Sequence, residues 1–157
     1  MAHWKKRETL FSEYEVGLKM PGAWQLRPKT DPERWLYRSA DHKEHLTLTR
    51  SPMEGRPGEE YDVLRQAATR NRRALELGFA RVSNLRISET ESGERVGVPA
   101  NWYFGTANGA EHQFWTLFLC STDAVWTFFY EAFKITEENA REHALWMLDS
   151  IEFRKSR

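Results

Sequence analysis

A single cysteine, Cys120, stands in the whole chain, so neither an internal disulfide nor a cysteine-rich zinc site can hold it together. No stretch of about eighteen uncharged apolar residues occurs, and the opening MAHWKKRETLFSEYEVGLKM carries no apolar segment of the secretory type. A membrane span is therefore not expected, and the thiol-poor composition suits a reducing, cytoplasmic setting. Charge of one sign is also missing: 23 Lys and Arg balance 23 Asp and Glu, so the basic surplus typical of nucleic-acid binders is absent. The sequence holds no Gly-x-Ser-x-Gly elbow, phosphate-cradling loop, His-Glu-x-x-His or Gly-x-Gly-x-x-Gly, and neither an enzyme nor a cofactor is expected. What the chain does have is 40% hydrophobic and 29% charged residues over 157 positions, enough for one folded domain covering residues 1–157.

The first half reads as short strands. Tyr14, Val16, Leu18 and Met20 alternate with polar residues until Pro21-Gly22, and extended pieces follow at 23–27, 34–39 and 45–50. Glu59 to Leu77 then has helical spacing, with Tyr61, Leu64, Ala68 and Leu75 on its inner stripe, Asn71 interrupting that stripe, and Gly78 at the C′ position. From 80 onward the period returns to two. Strands over 80–90 and 95–107 flank a turn at Glu91-Ser92-Gly93-Glu94, and Asn108-Gly109 signals a hairpin into His112 to Cys120. A last strand spans Val125 to Ala132. Because 114–120 and 125–130 are apolar on both faces, both faces must be covered. The cover has to come from the two helices, the second running from Glu137 to Ser150 with Thr136 as N-cap and Ala140, Ala144, Met147, Leu148 and Ile151 inward. The expected fold is α+β: a three-layer α/β/α sandwich with a central antiparallel sheet of about six or seven strands and two main helices.

The corner Met20-Pro21-Gly22-Ala23-Trp24 and the ending Leu148-Asp149-Ser150-Ile151-Glu152-Phe153, together with the order of elements, resemble the Mog1/PsbP-like fold group over nearly the whole chain. That group includes PsbP, Mog1 and DcrB-like proteins. The resemblance implies a scaffold used mostly for non-enzymatic binding and assigns no functional residue.

Asp41-His42-Lys43-Glu44-His45 gathers metal-binding residue types, but a turn does not fix His42 and His45 together and no distant third ligand is evident, so a solvated turn is the expectation. Cys120, between Leu119 and Ser121, reads as a buried inert thiol. Seven tryptophans exceed what the stripes need. Trp146 falls off the inward face of its helix, and Trp24 and Trp35 flank a loop-rich stretch beside Arg27 and Arg34; Trp and Arg are the common interface anchors. Trp146, Trp24, Trp35 and Arg34 are thus the partner-binding candidates. The functional expectation is a non-catalytic accessory domain that binds an unidentified protein, a second copy of itself included. The alternative is a chaperone-like or carrier site for a small molecule or apolar peptide, in a cleft between sheet and helix. The position of the surplus tryptophans separates the two: a flat exposed patch favours a protein, a lined concavity favours a ligand.

Overall fold

The alternating segments of the first half become strands in the computed structural model, which describes residues 4–11, 14–27, 33–79, 84–109, 111–121 and 123–155. The strands are β1 (Trp4–Phe11), β2 (Tyr14–Pro21), β3 (Gln25–Leu26), β4 (Arg34–Arg38) and β5 (Glu44–Pro52). Helix α1 (Glu60–Gly78) follows, then β6 (Arg86–Ile87), β7 (Glu91–Arg95), β8 (Val98–Ala107), β9 (His112–Cys120) and β10 (Ala124–Phe133). Helix α2 (Glu137–Asp149) and β11 (Glu152–Lys155) complete the order.

Eight strands form the central sheet in the order β3-β4-β5-β10-β9-β8-β6, with β7 also pairing β8, and every pairing is antiparallel. Two of the eight, β3 and β6, are only two residues long. Along β9 the side chains divide as the period of two requires. Phe114, Phe118 and Cys120 join Leu64 and Ala68 of α1, while Leu117 and Leu119 join Ala140, Ala144, Met147 and Leu148 of α2. The two helices therefore cover opposite faces of one antiparallel sheet.

A second sheet, in the order β1-β2-β11, was not foreseen as a separate unit. Val16, Leu18 and Met20 of β2 are buried in the core on the α2 side, so this small sheet shares with α2 the covering of that face. Its β11 pairs with β2 from Glu152 opposite Gly17 to Lys155 opposite Tyr14.

Four details differ from the sequence reading. The segment 91–94 is strand, and the connection between β7 and β8 is Val96-Gly97, with φ of 48° and 82°; the Ser-Gly in 91–94 imitates a turn, whereas a β-branched residue conceals the real one. Gly78 ends α1 as a helical residue rather than as a left-handed C′ glycine, and the Phe79 amide caps the Leu75 carbonyl. Tyr61 is exposed, because its hydroxyl reaches out to donate to the Gly93 carbonyl at 3.0 Å. Of the strand expected over 80–90, the described residues show Arg86–Ile87; residues 80–83 lie outside the described residues, as does Glu13, where the alternation leading to Met20 begins. Asn71, which interrupts the α1 stripe, accepts the hydroxyl of buried Tyr103, whose pKa burial pushes up to about 12. Asn108 and Gly109 do take positive φ, 54° and 64°, within a four-residue connection that sets Ala107 opposite His112. No helix among the described residues is long and apolar enough to cross a membrane.

Candidate functional site: the outer face of α2

Helix α2 begins where the Thr136 side chain accepts from the Asn139 amide at 3.3 Å, and Glu137 and Glu138 sit against the positive end of its dipole. Ala140, Ala144, Met147 and Leu148 are buried, and Ile151 just beyond the helix continues the stripe. A complete inward stripe leaves the other helical phases to solvent. Trp146 accordingly stands 48% exposed. It is not isolated: the Trp4 ring of β1 lies 5.3 Å from it at a tilt of 30°, and the same Trp4 meets the edge of His143 at 5.7 Å.

Under this aromatic pair lies a buried acid. Glu44, at the start of β5, accepts the Tyr130 hydroxyl at 2.6 Å, and the same oxygen, Oε1, is bonded to His143 Nδ1. A carboxylate out of water needs such partners. The bond to Glu44 raises the His143 pKa, against the opposing effect of burial and with help from the nearby charges of Glu44 and Glu142. Burial raises that of Tyr130, and the Glu44 charge adds to it. The chemistry of the trio is that of an internal clamp: the His143 imidazole on α2 is bonded to the Glu44 carboxyl on β5, and the same imidazole packs against Trp4. No serine, threonine or cysteine side chain is bonded to this imidazole among the described residues.

Beside Trp146, the residues Lys19, Glu142, Leu145, Asp149 and Ser150 line a shallow depression. Asp149 is engaged by Arg95 at 3.4 Å, and Arg95 in turn lies over Trp102, 4.7 Å from its ring centre. The Lys19 ammonium and the Glu142 carboxylate form no hydrogen bond or ion pair among the described residues, although they share the rim.

The other sequence candidates are scattered. Trp24 is 4% exposed, held in the corner where its amide donates to the Pro21 carbonyl at 3.1 Å, so it has no surface to offer a partner. Trp35 is half-buried against the core on the α2 side, in a hollow shared with Lys6, Arg7, Leu26 and Tyr37. Arg34, one residue away on β4, points to the opposite face and lines another hollow with Arg50, Thr49 and Glu131. These three do not meet Trp146. His42 is exposed at φ 63°, and its carbonyl lies 3.2 Å from His45 Nε2. No group of three or more His, Cys, Asp or Glu that could hold a metal occurs among the described residues. Cys120 is buried, with Sγ 3.4 Å from the Met53 sulfur, and burial first and Glu60 second push its thiol pKa up, away from reactivity.

A cleft of about 750 Å3 lies between α1 and strands β5 and β10, lined largely by polar residues such as Thr49, Ser51, Gln66, Arg70 and Thr127. No tryptophan lines it. The sequence did not single out this cleft, the Trp4–Trp146 contact or the Glu44–His143–Tyr130 cluster. The exposure of Trp146 alone was signalled, by helical phase.

No protein-family model matches the chain, and none of the curated proteins matches it in sequence. Solved structures do match. Cyanobacterial PsbP from Synechocystis superposes with a TM-score of 0.66 at 12% identity, covering 99% of this chain and 94% of that one. LpqN of Mycobacterium tuberculosis, described as involved in cell envelope biogenesis, superposes with a TM-score of 0.51 at 15% identity, covering 96% of this chain and 91% of that one. The fold is PsbP/Mog1-like, as the corner and the terminal Ser-Ile-x-Phe implied.

Proposed function

We propose that this chain is a non-catalytic accessory domain that binds another protein through the outer face of α2, with Trp146 as the anchor. The observation that carries the reading is the exposed Trp146, packed on Trp4 while the inward stripe of its helix is already complete. An indole held rigid at one edge and open at the other loses little freedom on docking and buries a large area, the properties of an interface hot spot. The distribution of tryptophan supports a protein partner over a cleft-bound ligand: the exposed indole lies at a shallow, open depression, and the cleft between α1 and strands β5 and β10 is lined mostly by polar residues and by no tryptophan. The PsbP-like scaffold supports an accessory role.

The test compares native protein with Trp146→Ala, each immobilised and exposed to extract of the source cells. A protein held by the native domain and weakened about thirtyfold or more by Trp146→Ala, which is the scale of a hot spot, sustains the reading. Equal retention by both, with both still folded, overturns it.

A further inference from the structure

The rim of the Trp146 depression holds exposed charges of both signs that form no hydrogen bond or ion pair within the described residues. Lys19 of β2 and Glu142 of α2 line it together with Leu145 and Trp146, and neither charged group forms a hydrogen bond or ion pair with the other or with any other described residue. A foreign partner of one charge would be attracted by one of them and repelled by the other. A two-fold axis changes that: a surface that docks on its own copy must present each group together with its complement, because residue i meets j while j meets i. We infer that the Trp146 face is the interface of an isologous homodimer, in which Lys19 of each copy meets Glu142 of the other around a centre made by the two Trp4–Trp146 pairs.

This inference rests on the reading of the α2 face as a protein-binding surface and names the partner. The division of labour follows from the chemistry. Indole and leucine supply the dry centre, and the two symmetric ion pairs at the rim fix the register and suppress wrong arrangements. Exposed Glu138, one turn before Glu142 on α2, adds a further acid to the same side of the helix. The buried Glu44–His143 bond and the Trp4 edge contact hold the anchor in one orientation before docking, which lowers the cost of association.

Sedimentation equilibrium on the native protein and three variants tests it. Native protein should show a monomer–dimer equilibrium that shifts with concentration, and Trp146→Ala should be monomeric. Lys19→Glu and Glu142→Lys should each weaken the dimer by about tenfold or more, since each brings like charges together twice. Mixing those two variants should restore dimer. In the mixed pair the acid introduced at position 19 of one copy faces the base introduced at position 142 of the other, while the second copy's native Lys19 faces the first copy's native Glu142. Both charge variants lie on the surface, so unchanged melting temperatures will show that folding is intact. A native chain that stays monomeric at every concentration, a dimer that survives Trp146→Ala, or a mixture that fails to associate overturns the homodimer. If the native chain is monomeric yet Trp146→Ala still abolishes capture of a different protein, the homodimer alone falls and the binding face stands. If capture is also unaffected, both fall.

Discussion

Val96 occupies a left-handed position, φ 48°, in the two-residue link between β7 and β8, where its branched Cβ crowds the backbone. The link has the backbone of the hairpin turn that asparagine followed by glycine fills best, and Gly97 already supplies the second half. Val96→Asn should relieve about 1 kcal/mol and raise the melting temperature by roughly 2 to 4 °C, read by calorimetry. A decrease would mean that the lost valine contacts outweigh the strain. Cys120 gives a second test at this scale. Its burial and raised pKa predict that the native thiol reacts with a disulfide reagent far more slowly than the thiol of denatured protein. Equal rates would show that the strand end opens readily.

Within α2, neighbouring residues should behave in opposite ways. Met147 is fully buried between the helix and the sheet, and Met147→Ala should cost about 2 to 5 kcal/mol through the cavity it leaves. Trp146→Ala removes one member of a half-exposed ring pair and should cost about 0.5 to 1.5 kcal/mol in urea titrations. A loss as large as that of Met147 would place Trp146 in the core and remove the anchor. The helix is legible in the sequence because its signals are local: the Thr136 cap, the acids behind it and a stripe at three and four. The β8–β9–β10 meander is legible for the same reason, through its two-faced apolar strands. What the sequence hides is set by distant residues. β1 reads as a charged segment, Trp-Lys-Lys-Arg-Glu-Thr-Leu-Phe, and becomes a strand only because β2 pairs it. β11 has four residues and takes its structure from β2. The buried cluster brings Glu44 to His143 and Tyr130 across most of the chain, and in the sequence Glu44 is one acid in a polar turn. No periodicity reports a contact of that kind.

For the molecule as a whole, the Glu44–His143 bond links stability to pH. His143 has a folded pKa above its ordinary value of 6.5, so the native state keeps a proton that the unfolded chain releases earlier. The stabilisation is therefore complete below pH 6.5 and is lost as the pH rises through the raised folded value. Urea unfolding at a series of pH values from about 6 to about 8.5 should show this decline, and His143→Asn should flatten it. An unchanged slope in the variant would assign the decline to other groups. The way β11 closes on β2 has a consequence of a different kind. β2 and β11 pair across nearly the full length of the chain, as far as Tyr14 with Lys155, so their meeting closes one of the longest loops in the described structure and carries a large entropic delay. The β8–β9–β10 meander, made of neighbours in sequence, can assemble first and form the nucleus. Contacts of the small sheet then belong to the descent after the transition state, and Val16→Ala should speed unfolding several-fold while leaving the refolding rate nearly unchanged in stopped-flow experiments. The lifetime of the folded molecule, as distinct from the speed with which it forms, is thus governed by its smallest sheet.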